Sequence, residues 1–231
     1  MTETEVRQML MASAEEDYKA FNEKLQTSKS PQMGVRMGEV RKIARALAKD
    51  GWQEYVLGLD DGCFHEEKLA AGMSIFYSKA DIEEKLRYTE KFIPYIDGWG
   101  ICDSVCSTIK LKKDEIDIFW DYVLKKAVSG KEFEARFGLV SMLQCFVNEK
   151  YIDRVIDIVD TLEYAGYYDS MAAAWLLAEC MIKFPDKTFE YMKTSSLDAT
   201  VYNKAISKMR ESYRVSSEMK DELKKMKKAA K

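Results

Sequence analysis

Trp99 and Asp103 stand four residues apart in Asp97-Gly98-Trp99-Gly100-Ile101-Cys102-Asp103-Ser104, just after Gly98 interrupts a helical pattern. Positions i and i+4 share one helix face. The spacing therefore sets a broad indole plane beside a carboxylate, near a helix start where the backbone dipole favours an anion. Two uses fit. Trp99 can be a core residue with Asp103 capping or facing water, or the pair can be a site.

Three further places carry residues of unusual type. Arg136 sits in the apolar run Phe133-Glu134-Ala135-Arg136-Phe137-Gly138-Leu139-Val140. A guanidinium there must pair with Glu134 or a neighbouring helix, line a groove, or snorkel. Trp175 follows three alanines on a helix of small residues, where its ring can pack closely or leave one face open. Glu179, four residues on, shares its face and reads as a structural partner. Toward the end, Lys204, Lys208, Arg210 and Arg214 precede Lys224, Lys225, Lys227, Lys228 and Lys231. Such a run is a solvated face or a rim that tracks phosphates, and its last lysines read as a frayed tail. His65, the only histidine, lies beside Glu66 and Glu67 and reads as a surface residue. Cys102 and Cys106 are one turn apart, but no second Cys/His pair completes a metal site. No Ser-His-Asp set or Gly-rich phosphate loop is present.

Composition bounds the scaffold. Of the 231 residues, 47% are hydrophobic and 32% charged, which suits a folded globular chain. With only 3 Pro and 11 Gly, few strands and hairpins can be punctuated. No apolar run approaches the roughly 18 residues of a membrane span. The acidic start, Met1-Thr2-Glu3-Thr4-Glu5, does not read as a signal peptide. Five cysteines, an odd number, fit a reducing cytoplasm. A net charge of -3 gives no global attraction to nucleic acid, although local clusters can.

Hydrophobic periodicity predicts helices over 5–26, 39–49, 51–59, 64–79, 82–96, 99–109, 114–128, 131–147, 151–162, 166–184, 185–192, 198–213 and from 216 onward. In the first, Val6, Met9, Leu10, Ala14, Tyr18, Phe21 and Leu25 step by three and four as its inward stripe. About twelve helices joined by short turns make antiparallel neighbours. Their pair period of roughly 35 to 40 residues predicts an all-α solenoid of degenerate HEAT-like repeats over 1–231 as one domain, with a compact bundle as the alternative.

Taken together, Trp99, Asp103, Arg136 and Trp175 resemble the pattern of the AlkD-like DNA alkylation repair family. Gly34-Val35-Arg36-Met37-Gly38-Glu39-Val40-Arg41-Lys42-Ile43 is similar to its N-terminal phrase. Trp99-Gly-Ile-Cys-Asp103 matches its Trp-x-x-x-Asp, Arg136 its groove arginine, and Ala174-Trp175 its late Trp phrase. Residues Tyr202-Asn203-Lys204-Ala205-Ile206-Ser207-Lys208-Met209-Arg210-Glu211-Ser212 resemble its terminal basic helix.

The resemblance implies a monofunctional DNA glycosylase that excises N3- and N7-alkylated purines from duplex DNA, as a monomer and without metal or nucleotide cofactor. Such bases are cationic and leave as neutral groups. Asp103 would then stabilise the oxocarbenium charge on the deoxyribose, and Trp99 and Trp175 would flank the sugar. Arg136 would hold a phosphate, with Lys204, Lys208, Arg210 and Arg214 as further DNA contacts. The chain departs from the pattern at Ala178, where an arginine is usual, at Gly100, often Asp, and at Met37-Gly38. Two other readings keep the scaffold: a non-catalytic binder of structured DNA and a protein-binding array.

Overall fold

The computed structural model describes residues 1–25 and 27–229. Among them the regular elements are all helices, apart from one isolated bridge between Ala14 and Val35, and the chain divides into two compact units, Met1–Tyr122 and Val123–Lys231. The first holds α1 (Glu3–Ala12), α2 (Glu16–Lys24), α3 (Met37–Leu47), α4 (Trp52–Leu57), α5 (His65–Tyr77), α6 (Ile82–Phe92) and α7 (Trp99–Cys106). The helix α8 (Ile116–Ala127) contains the boundary. The second unit holds α9 (Glu132–Cys145), α10 (Ile152–Thr161), α11 (Tyr167–Lys183), α12 (Pro185–Thr194), α13 (Ala199–Glu211) and α14 (Ser217–Lys225).

Within each unit alternate helices pack side by side. The helix α5 lies between α3 and α7, with α4 and α6 also against it; α11 lies between α9 and α13, with α12 beside it. These two central helices are buried almost all round, as their place between neighbours requires. In α11 the run Ala172-Ala173-Ala174 and then Leu176, Leu177 and Ala178 are buried, so small side chains let its neighbours approach closely.

Two predicted helices are broken. The expected helix over 5–26 ends at Ala12 and restarts at Glu16, while Gln26 lies outside the described residues. The cause is non-local. Ala14 forms an antiparallel bridge with Val35, and the Glu15 amide donates to the Gly34 carbonyl at 2.9 Å. Arg36 then grips the Glu15 carboxylate with two 2.8 Å hydrogen bonds. Gly34 makes this possible: its φ is +87°, and a Cβ there would collide with the backbone of Glu15 and with Lys19. With the stripe interrupted, Met9, Phe21 and Leu25 are exposed rather than inward. The expected helix over 82–96 stops at Phe92 and tightens into a 3-10 turn at Ile93–Tyr95, because Pro94 has no N–H to continue the ladder.

His65 corrects a surface expectation, being only 3% exposed. The segment 27–36 covers the first turn of α5, whose four polar residues are all buried. The His65 amide donates to the Pro31 carbonyl, and the Glu66 carboxylate accepts the amides of Met33, Gly34 and Val35. Glu67 binds Arg7, and Lys68 binds Ser30. Burying the two carboxylates and the ammonium is tolerable because each of these bonds replaces water, whereas the His65 imidazole keeps a buried Nδ1 with no hydrogen-bond partner.

Candidate functional site

The helix α7 is short, and contacts anchor it at both ends. At its start the Gly100 amide donates to the Thr27 carbonyl at 2.8 Å. At its end Arg41 of α3 donates to the Ser107 hydroxyl at 3.0 Å. Immediately before it, Asp97 accepts from the hydroxyls of Ser28 and Ser30, with the Lys68 ammonium 3.5 Å away. Burial by itself would raise the Asp97 carboxyl, but the two hydroxyls and Lys68 outweigh it and hold it below the usual carboxylate range. Gly100 has no room to be anything larger: a Cβ would lie 2.6 Å from Thr27 Cβ and 2.9 Å from its carbonyl oxygen. Gly100 is thus required by its close packing on Thr27.

One face of α7 is sealed by Ile101, Cys102, Val105 and Cys106, all fully buried. The other face carries Trp99, 38% exposed, then Asp103 and Ser104, each half-buried. Of the four tryptophans, Trp52 and Trp120 are core residues at 4% and 1% exposure, whereas Trp99 is open and Trp175 half-buried. The core reading of Trp99 is therefore overturned. The shared face expected for Trp99 and Asp103 is present, one turn apart on the open side of the helix.

In the second unit, α9 fixes the start of α11. Glu132 accepts the Tyr168 amide at 2.7 Å, and the Arg136 guanidinium donates to the Tyr168 carbonyl at 2.7 Å. Residues four apart on α9 thus hold both ends of one residue's backbone. Arg136 is 5% exposed, and its guanidinium lies 5.9 Å from the Tyr168 ring centroid. Glu134 is bonded to Lys126 and Lys131. Seven residues after Tyr168, on the same side of α11, Trp175 opens onto a cleft of about 250 Å³. Ala178, Glu179, Ile182, Lys208, Glu211, Ser212 and Arg214 complete its lining. There Arg214 donates to Glu179 at 2.8 and 3.4 Å, and its side chain keeps 62% exposure. The Glu179 partner is thus Arg214, which brings a guanidinium to the cleft that Ala178 also lines.

Trp175, Lys208 and Arg214 meet in that cleft, whereas Lys204 and Arg210 lie along α13 outside its lining. Lys227 and Lys228, after α14, are not a frayed end. The Asn203 side chain donates to the Lys228 carbonyl and accepts the Lys228 amide, both at 2.9 Å. The Lys228 ammonium bonds the carbonyls of Ser195 and Leu197; Lys231 is outside the described residues. Sequence reasoning missed Tyr168 and the loop 27–30. Tyr168 left a signal, an aromatic pair directly after Gly166 at a helix start. The loop left none beyond three hydroxyl residues.

Among the described residues no group of three His, Cys, Asp or Glu side chains is arranged to hold a metal ion, and no helix is long and apolar enough to cross a membrane. Comparison with protein families gives a match over residues 6–209 to the model described as DNA alkylation repair enzyme. No curated protein and no solved structure matched the chain.

Proposed function

This chain belongs to the DNA alkylation repair enzyme family, and from that membership we propose that it is a monofunctional DNA N-glycosylase releasing N3- and N7-alkylated purines from duplex DNA. Family membership carries an enzymatic role in alkylation repair with DNA as substrate. The finer reading rests on one observation. Of four tryptophans, those left open to solvent are Trp99, one turn from Asp103, and Trp175, in a cleft with Arg214.

An alkylated purine carries a positive charge, so its glycosidic bond is weakened and it departs neutral without a proton from the protein. The remaining barrier is the cationic sugar. A carboxylate held in place by a helix anchored at both ends stabilises that charge without reorganising, and can orient the attacking water. Asp103 takes this role. The indole face of Trp99, one turn from Asp103, suits the C–H edges of deoxyribose and its developing charge, and Trp175 offers the same chemistry in the cleft of its own unit. Arg214 offers phosphate contact, its guanidinium oriented by Glu179. Arg136, buried at 5% exposure, acts by holding the Tyr168 backbone at the start of α11. The alternate packing of helices in each unit supports a HEAT-like arrangement in a single repair domain over 1–231.

The test is release of 7-methylguanine and 3-methyladenine from methylated duplex DNA by wild type and Asp103→Asn. Loss of one preorganised electrostatic partner of this kind costs about 3 kcal/mol, roughly a hundredfold in rate. The variant should fold, bind DNA and release little base. Absence of release by folded wild-type protein at low salt would sink the enzymatic reading.

A further inference from the structure

We infer that Asp97 is a positioning residue for base excision: its carboxylate locks the 28–30 loop to the residues that open α7, and this lock sets the direction in which Trp99 and Asp103 project. The excision step comes from the glycosylase reading proposed for this chain; the lock itself stands on hydrogen bonds and packing.

The hydrogen bonds of the lock run in one direction. Ser28 gives its hydroxyl proton to one oxygen of the Asp97 carboxylate and Ser30 gives its own to the other. Both hydroxyl oxygens accept in turn, Ser28 from the Ser30 amide at 3.0 Å and Ser30 from the Lys68 ammonium at 2.7 Å. A hydroxyl has one proton to give, so both are committed to Asp97. The Lys29 amide and the Lys68 ammonium, 3.5 Å away, further favour the ionised carboxylate. Asp97 stands only two residues before Trp99. Close packing completes the seat. A Cβ on Gly98 would lie 2.7 Å from Ser28 Cα, and the Gly100 amide bonds the Thr27 carbonyl.

Apolar packing does not supply the same service. Ile101, Cys102, Val105 and Cys106 fix how deep α7 lies. The hydrophobic effect is non-directional, however, and leaves small tilts of an eight-residue helix cheap. Stability alone is also a poor reason for this cluster, in which Lys68 is 5% and Asp97 21% exposed. Taking charges out of water is costly, and an apolar replacement of similar volume is often neutral or better. What the network adds is direction, because each bond demands its own geometry. Asp103 lies four residues beyond the first helical position, about 6 Å along the axis, so a tilt of about 10° at the lock moves it by about 1 Å. A displacement of that size is enough to spoil a preorganised electrostatic contact.

Asp97→Asn tests the lock at constant volume, since an amide offers one acceptor oxygen where the carboxylate offers two. Single-turnover release of 7-methylguanine at saturating methylated duplex is expected to fall by about tenfold or more, with duplex affinity unchanged. The combined Ser28→Ala and Ser30→Ala variant should show the same fall, and adding Asp97→Asn to it should cost nothing further, because the three groups form one network. A full rate for Asp97→Asn, or losses that multiply in the triple variant, would overturn the positioning role. So would a fall in rate matched by an equal fall in affinity, which a merely structural role predicts. A second readout needs no excision: iodide quenching of tryptophan fluorescence in a Trp175→Phe background, where Trp99 is the exposed indole. Asp97→Asn is expected to change that quenching, and unchanged quenching overturns the lock. Should Asp97→Asn fail to fold, Ser28→Ala alone leaves the Ser30 and Lys68 contacts in place and provides both readouts. It is expected to lower the rate several-fold, and wild-type values in both would again overturn the lock. Wild type that folds but releases no base removes the glycosylase reading, and the quenching result then decides the lock by itself.

Discussion

Trp99 and Trp175 both reach solvent from helices that pack against the centre of their unit or form it, but the support beneath them differs. Under Trp99 the structure is polar and assembled from distant parts of the chain: the Thr27 carbonyl on the Gly100 amide, and Ser28, Ser30 and Lys68 around Asp97. Beneath Trp175 lies a long, largely apolar helix, whose polar contacts include Glu132 and Arg136 at Tyr168 and Arg214 at Glu179. A polar network fixes position well but fails when a single member is removed or titrated. A buried apolar helix tolerates change at its rim. The first unit should therefore be the sensitive one, to packing and to pH, and the second should respond mainly through charge.

The sharpest contrast is between glycines. Gly100→Ala would normally help a helix by about 1 kcal/mol. Here the added Cβ meets Thr27 at 2.6 Å, and overpacking of this kind costs about 1–3 kcal/mol. Gly38, on α3, has nothing within 4 Å of the same added atom, so Gly38→Ala should be neutral or stabilising by about 0.5–1 kcal/mol. Thermal unfolding of the two variants reads the difference directly. If Gly100→Ala shifts α7 by about 1 Å, excision falls by roughly a hundredfold while Gly38→Ala keeps full activity. Equal behaviour of the two would show that the loop 27–30 does not set the position of α7.

That contrast also marks what the sequence could and could not disclose. Periodicity and punctuation made most helices legible, including α7 after Gly98 and α11 after Gly166, because those signals act within a few residues. The shared face of Trp99 and Asp103 follows from the same local rule. Burial of His65, the break at Ser13–Glu15 and the seating of Lys228 on Asn203 were not legible. Each depends on a partner about 20 to 35 residues away, such as Gly34 for Glu15 and Asn203 for Lys228. Nor could Ala178 be read from its own position, since the guanidinium that enters the cleft comes from Arg214.

The pH response should separate the units at intermediate size. Burial pushes the His65 imidazole down, opposed by the carboxylates of Glu66 and Asp97 and reinforced by the Lys68 ammonium. A histidine whose folded pKa lies below its ordinary 6.5 binds fewer protons when folded than when unfolded. Stability is then complete above that value and declines as pH falls below it. The depressed Asp97 carboxyl acts in a separate window, losing its contribution only as pH drops below about 3.8. Between pH 7 and 5, denaturant midpoints should fall for wild type and less steeply for His65→Gln. Identical slopes would mean that the buried imidazole is not a source of acid sensitivity.

The smallest effect is expected at the rim of the second unit. Glu179→Gln removes a carboxylate that is largely buried and bonded to an exposed guanidinium. Because the partner can return to water, the stability change should stay within about 1 kcal/mol. The consequences for DNA should divide. Loss of a negative charge beside Trp175 favours the approach of phosphates, so affinity is unchanged or tighter. Release of Arg214 from its fixed orientation lowers the single-turnover excision rate, by several-fold rather than a hundredfold, because Asp103 is untouched. A variant carrying both Glu179→Arg and Arg214→Glu would restore an ion pair but move the cation onto α11, and it should recover stability without recovering rate. If the exchange restores both, Glu179 serves only to hold the chain together, and the second unit's charge network is as purely structural as the apolar helix beneath it.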